Sequence, residues 1–500
     1  MRPFLARIFT RRFITRSVFV FACLATLIVV FYRYEAWRGR RAWEAYRAQA
    51  EQAGLKFDIS AYLPPEVPEA ENYAAVPFIA DLFKPVDPEA PEQPPQSSLG
   101  FPETPGFHRP GRKSAVGSFN ATEWRDYLLR CGWIDAATTE PARDILRALD
   151  RHRASLDAFH EAGSRPKANF PLNWEDGFAI RLPHLPVMQQ ASNLLAIRAS
   201  ARLSLGENEA AFSDVRDTLH IARALEHQPL LITALLRVSV LGQGFSPIMV
   251  GLVTHQWSDA QLQGIHEEVN RIPVLESWLT ALNGERAVLN QELLKLTQTP
   301  GESLGLFFAL IDDSAKPSSR SRFVASAYPR GWLYDNLVVV NRLFDEHAAR
   351  IDVKTSTIGR GPSSEESLTK MIGTSWLTRA RYLFARMLFP AFESIESRQL
   401  LILAQVRQIQ AACALERYRR AHGKVPAKLD ELVPSILPAV PRDPADDHPL
   451  RYRPADDGSY VLWSIGSDRK DDAGLDDLDK NQIDRPDWVL SIPKPPALKP

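Results

Sequence analysis

The chain has little of what most recognisable sites are built from. Its 500 residues include only three cysteines, Cys23, Cys131 and Cys413. They are too few and too scattered for a disulfide framework or a thiolate metal site. Cys23 lies in an apolar run, which leaves one conceivable bridge, Cys131 to Cys413, and no spacing speaks for it. Sixty basic residues face sixty acidic ones, so the net charge is zero. Without a basic run there is no electrostatic footprint for nucleic acid. Glycine is scarce beside proline, 25 against 38, the composition of helices punctuated by stiff connections. No Gly-rich phosphate loop occurs, because Gly423-Lys424 lacks both the upstream glycine and the following hydroxyl. The histidines are scattered. His152 and His160 can share a helix face but are too far apart to share a metal unaided, and neither H-E-x-x-H nor C-x-x-C is present.

Long hydrophobic runs are also few. The first, SVFVFACLATLIVVFY, fills the interval between Arg16 and Arg33 without a charge. Flanking arginines that can snorkel and the interfacial pair Phe31 and Tyr32 fit a transmembrane helix over about 15–33. RYEAWRGRR follows it, where a cleaved signal peptide would carry a small-x-small site, so the segment reads as an uncleaved anchor. Five arginines on each side leave the positive-inside count tied. The usual single-anchor arrangement places the chain in the inner (cytoplasmic) membrane as a single-pass protein, the bulk of it periplasmic. The second run, LLITALLRVSVLGQGFSPIMVGLV at 230–253, contains Arg237, Gly242, Gly244 and Pro247 and reads as two buried core helices.

The expected organisation is a tail, transmembrane helix and juxtamembrane helical stalk over 1–52, then an extended segment over 53–117 with a Pro-rich linker at 85–110. An all-α domain of antiparallel helices follows at 118–390. Met188, Ala191, Leu195 and Ala199 lie at helical spacing, as do Ala211, Val215, Leu219 and Ala222, with Gly206 as the break between them. This pair faintly resembles a tetratricopeptide unit, but no second copy follows at the repeat spacing. Further helices are expected at 258–298, 303–312, 331–351 and 366–389, with STIGRGPSSEES as a loop. GESLG at 301–305 matches G-x-S-x-G around Ser303. A nucleophile elbow needs a buried strand before it, whereas KLTQTP precedes this one, so Ser303 reads as part of a helix start. In NWEDG, Glu175 and Asp176 read as cap or turn residues.

The last fifth of the chain is α+β. A helix over Phe392–Ala421 carries Ile402, Val406, Ile409 and Cys413 on one stripe and stops at Gly423. A turn rich in Asp and Pro leads to a strand at 449–453, Asp457-Gly458 signals a hairpin, and SYVLWSI returns with alternating faces. An acidic loop and a terminal strand near DWVLSI close the module, over 391–492, before a tail at 493–500.

The phrases ALERYRRAHGKVP, RDPADDHPLRY, YVLWSIGSD and DRPDW occur in an order that resembles the soluble domain of the major pseudopilin of type II secretion, over residues 392–490. The resemblance implies a long helix on a small antiparallel sheet and calcium bound in the loop after the returning strand. Calcium takes six to eight oxygens from carboxylates and carbonyls. By position the resemblance assigns the metal to Asp468, Asp484 and the carbonyl of Ile465, with Asp487 beside Trp488 as a further ligand. Residues 468–487 hold eight Asp against four Lys or Arg. The family's other acidic position falls on Gln482, and its glycine pair is replaced by Asp471 and Asp472. An EF-hand counted from Asp477 would place Trp488 where glutamate is required. The pseudopilin processing site is missing: Arg12 precedes Phe13, and Ser17 stands in the glutamate position. The expectation is a mainly α, membrane-anchored, non-catalytic envelope protein with protein partners in the envelope. A secretion or pilus subunit, and a hydrolase using Ser303, are the alternatives.

Overall fold

The computed structural model describes residues 11–84, 116–298, 327–388 and 390–494. The Pro-rich linker at 85–110, the helix expected at 303–312, Ser303 and most of the tail fall outside them. The fold is mainly helical, with a small antiparallel sheet and an apolar helix near the amino terminus. The chain divides into two compact units, each assembled from separated segments.

The first unit comprises Met1–Ala61, Arg286–His347 and Pro362–Phe392. Its apolar segment belongs to a helix that runs unbroken over Arg11–Gln52. The most apolar window of this helix has mean hydropathy 2.0 and none of it is buried, so the helix is long and apolar enough to cross a membrane. Beyond Arg33 the surroundings change. Glu35, Gly39 and Trp43 are spaced four apart and buried, so the juxtamembrane part of the helix is docked along one face. The docking partner is helix Arg330–Ala348. The two backbones meet at a glycine pair, where a Cβ on Gly39 would stand 2.4 Å from the Gly331 carbonyl oxygen. Around the crossing, Asp335 accepts bonds from Arg38 at 2.5 Å and from Arg381 Nε at 2.7 Å, and both guanidiniums also reach Glu35. Further along, Tyr46 donates to Asp345, which also pairs with Arg286. The single helix expected at 366–389 is three short ones, Ser364–Ile372, Trp376–Arg381 and Leu383–Leu388. Gly373, at φ 73°, ends the first, and the Ser375 side chain caps the second.

The second unit comprises Tyr62–Glu285, Ala348–Gly361 and Glu393–Pro500. Helices His184–Ser204 and Asn208–Ala224 form the expected hairpin, with Gly206 at φ 76° between them. All eight stripe residues named above are buried. Arg198 and Arg202 grip the buried Asp214 at 2.6 and 2.7 Å, fixing the register of the pair. The apolar run at 230–253 is one helix, Leu231–Val253, and not two. Two of its glycines mark close packing instead of a break: a Cβ on Gly251 would lie 2.3 Å from the Trp257 ring, and Gly244 lies against Leu219 and Thr218. Two thirds of its apolar window is buried, as in a core helix. Asp259–Asn270 opens with a capping box between Ser258 and Gln261. The loop expected after the 331–351 helix contains a short hairpin, β1 (Ile351–Asp352) against β2 (Thr357–Ile358).

Helix Pro390–His422 starts where the carboxyl-terminal module was expected to begin, but the apolar core runs on across that point. One cluster joins residues from Tyr73 to Leu275 with Ile402, Leu415, Leu462 and Leu490. From Gln399 to Glu416 every residue is buried except Arg407, so the helix is enclosed rather than striped. Gln410 donates to Asn270 on one side, and Gln408 donates to the Trp488 carbonyl on the other.

The glycine contact in the first unit gives a test. At an unencumbered mid-helix site, Gly39→Ala gains about 1 kcal/mol in helix propensity. Here the new methyl meets the Gly331 backbone, and such overpacking costs about 1–3 kcal/mol. The variant should therefore show a lower Tm and faster amide exchange over residues 35–47. A higher Tm would contradict the close approach.

Candidate cation-binding loop

The candidate site lies on the sheet of the carboxyl-terminal module. Strands β3 (Arg451–Pro454), β4 (Tyr460–Ser464) and β5 (Trp488–Ile492) pair antiparallel in that order, with Tyr452 opposite Leu462 and Leu462 opposite Leu490. The β3–β4 turn is set by Gly458 at φ 87° and by Asp457, whose carboxylate accepts from the Ser459 amide and hydroxyl. Alternation sends Tyr460, Leu462 and Ser464 to the buried face, where the Tyr460 hydroxyl donates to Glu416 of the long helix at 3.4 Å. The motif residues before the sheet serve packing: Tyr418 stacks on His422, and Tyr452 donates to the Pro426 carbonyl.

Two carboxylates that sequence reasoning passed over organise this module. Asp443, fully buried, accepts from the Ala445 and Ile465 amides, the Ser464 hydroxyl and Arg451, at 2.8 to 3.0 Å. It therefore pins the loop before β3 to the end of β4. The Asp-Pro phrase was visible in the sequence, but nothing local marks Asp443 as a convergence point for donors more than twenty residues away. Glu416 is the other: it accepts from His255 at 2.9 Å and Arg419 at 2.7 Å, while His255 Nε2 meets the Pro493 carbonyl at 2.9 Å. Burial works to raise the Glu416 carboxyl, but the bonds from His255 and Arg419 outweigh it and hold the group below its ordinary 4.5.

The acidic loop covers the other face of the sheet. Asp471 accepts from the Trp463 indole at 3.0 Å, a bond that holds its carboxyl below the ordinary range, and Arg451 approaches it at 3.4 Å. Arg453 stacks over the Trp463 ring. Thus Asp471 fastens the loop by its side chain. Arg469 ties the same loop to the Ala445 and Ile358 carbonyls. At Gly466, φ 67°, a Cβ would lie 2.9 Å from the Pro486 carbonyl oxygen and 3.6 Å from that of Arg485.

The four residues assigned to calcium have different surroundings. Asp487 is fully buried; its Oδ2 accepts from the Gly474 amide at 2.7 Å, and its Oδ1 is buried without a hydrogen-bond partner. Burial first, and the nearby charges of Asp471 and Asp472, push its carboxyl above the usual range. Ile465 is buried, with its amide bonded to Asp443. Asp468 is exposed and accepts from the Lys470 amide in an Asx turn; Asp484 is exposed beside the Asn481 amide. Among the described residues no three His, Cys, Asp or Glu side chains gather as a metal site. Of the four, only Asp487 keeps a buried carboxylate oxygen without a hydrogen-bond partner, and the exposed Asp468 and Asp484 are each bonded within their own turn.

Elsewhere, Asn173 caps the turn Trp174–Ala179 and bonds Asp176, in keeping with a structural role for NWEDG. His160 Nδ1 meets the buried Asp217 at 2.9 Å, a pairing the sequence did not suggest. Among the described residues no hydroxyl or thiol is hydrogen-bonded to His160. No known family, curated protein or solved structure matches this chain.

Two outcomes follow from the buried carboxylates. Asp443→Asn replaces an acceptor by a donor that faces other donors, and should lower stability by about 3 kcal/mol in denaturant titration. For Glu416 the folded form is the less readily protonated, so its contribution is present above pH 4.5 and is lost as pH falls through the depressed folded value. The Tm gap between the wild type and Glu416→Gln should therefore be widest near neutrality and close at acid pH. A gap that widens on acidification would reverse the assignment.

Proposed function

We propose that this chain is a membrane-anchored, non-catalytic envelope protein that binds or scaffolds other components, and that calcium stiffens its pseudopilin-like carboxyl-terminal module. In this reading the helix over residues 15–33 spans the inner membrane and the folded units lie in the periplasm. The observation that carries the anchoring is the bare apolar segment: Phe21 is 74% exposed and Leu27 64%, in a helix whose later turns, at Gly39 and Trp43, are packed in protein. Such a surface is costly in water and matches the hydrocarbon interior. Support for the module comes from the long helix laid on a three-stranded antiparallel sheet, the arrangement that the pseudopilin resemblance implies.

The calcium arm rests on the open oxygen of Asp487 under a loop rich in aspartate. An ion there would supply positive charge to a buried carboxylate and cross-link the loop to β5. Its effect on stability would follow mass action, since only the folded loop assembles the ligands. Millimolar calcium should raise the Tm of the full chain by about 4 °C. Asp487→Asn should abolish the rise, and the Asp468→Ala, Asp484→Ala pair tests the other two assigned ligands. No calcium dependence in the intact protein would end the metal reading. A carboxyl-terminal reporter that is active only after export should be active; a silent one would reverse the orientation.

A further inference from the structure

The enclosed helix Pro390–His422 opens at one place, and what it shows there is a cation. Arg407 is the only incompletely buried residue between Gln399 and Glu416. Among the described residues its sole hydrogen bond is from Nη1 to Gln410 Oε1 at 3.2 Å, and it forms no ion pair with any of them. Burial of the guanidinium, with no carboxylate bearing on it, holds its pKa below the ordinary arginine value. A partly desolvated charge left unpaired is unfavourable, and such groups are normally paired or exposed.

Arg407 stands where two cavities of about 360 and 270 Å³ meet; both are lined by Asn270, Arg407 and Gln410. The larger is walled by the connection from Asn270 to Glu276, with Leu403 and Val406 on the helix side. The smaller is walled by the apolar stretch from Leu437 to Pro441. The other arginines at the ends of the groove are already committed, Arg271 to Glu267 and Glu268, and Arg442 to Asp447. Gln410 is itself held by Asn270, its Nε2 donating to Asn270 Oδ1 at 3.0 Å, which leaves the Asn270 Nδ2 as a second donor. The groove thus presents one planar guanidinium, amide donors beside it, a mostly polar lining on the Asn270–Glu276 side and an aliphatic wall along Leu437–Pro441.

We propose that this groove binds a carboxylate carried on a short aliphatic body, with the carboxylate on the Arg407 fork and the body against Leu437–Pro441. A single guanidinium matches a monoanion in charge and in bidentate geometry. Phosphate, a dianion near neutrality, would call for further cations, and the remaining ionised side chain on the rim, Glu276, opposes it. The cavity size suits a small organic acid or the last residues of a peptide. This inference needs no calcium and stands apart from the acidic loop.

The test uses the full chain in nanodiscs with a chelator present. Ligand-observed NMR titrations compare butyrate with butyramide, and acetyl-Ala-Val bearing a free carboxylate with its amide. The acids should bind and the amides should not; which acid binds more tightly separates a free metabolite from a peptide terminus. Arg407→Met should abolish binding while leaving Tm unchanged or higher, since it removes an uncompensated charge. Arg407→Lys keeps the charge without the fork and should weaken binding about tenfold. Equal binding of acid and amide, or unaltered binding by Arg407→Met, would overturn the proposal. So would a fall in Tm of Arg407→Met together with no acid bound by the wild type.

Discussion

The second unit depends on burying one helix on all its sides. Pro390–His422 carries glutamines where a surface helix would carry solvated charge, and each of Gln399, Gln405, Gln408 and Gln410 is almost fully enclosed. Burying amides is tolerable only when they find partners. Gln410 finds one in the helical part and Gln408 finds one on the sheet, so the polar bonds fix the rotation of the helix between two layers that apolar packing alone would leave free to slide. Glu416 does the same at the far end, joining His255 of the helical part to Tyr460 of β4. The sheet is therefore an outer layer of a shared core, and its three short strands could not bury enough surface alone.

The same constraint confines ligand contact to openings in the covering. An enclosed helix offers a ligand only the residues its covering leaves bare, and a loop pinned at Asp471 and Arg469 keeps one buried carboxylate oxygen without a hydrogen-bond partner. Arg407 and Asp487 are these two residues. Each departs from the rule that buried charge is matched by the protein itself, and that departure makes each a candidate for matching from outside.

Much of this was legible in sequence. The periodicity of Met188 to Ala199 and of Ala211 to Ala222, the Gly206 break, the Asp457-Gly458 turn and the alternation of SYVLWSI all appear where local chemistry placed them. What was not legible depends on tertiary context. Gly244 read as a break but serves close contact with Leu219 and Thr218, which a sequence cannot distinguish. The stripe Ile402 to Cys413 read as one face because glutamine counts as polar, and only the second layer shows that the opposite face is also covered. The docking of Gly39 on Gly331 and the role of Asp443 join residues far apart in the chain, and no local pattern reports such convergence. The unmatched state of Arg407 was invisible for the same reason.

The central claim is that the long helix, the helical part and the sheet form a single cooperative core. Native-state hydrogen exchange on the full chain measures this most directly. The account predicts that the slowest amides of residues 399–416, of β4 and of helix His184–Ser204 open together, with one common free energy. A carboxyl-terminal module that opens at distinctly lower free energy, with the helical part still protected, would contradict it.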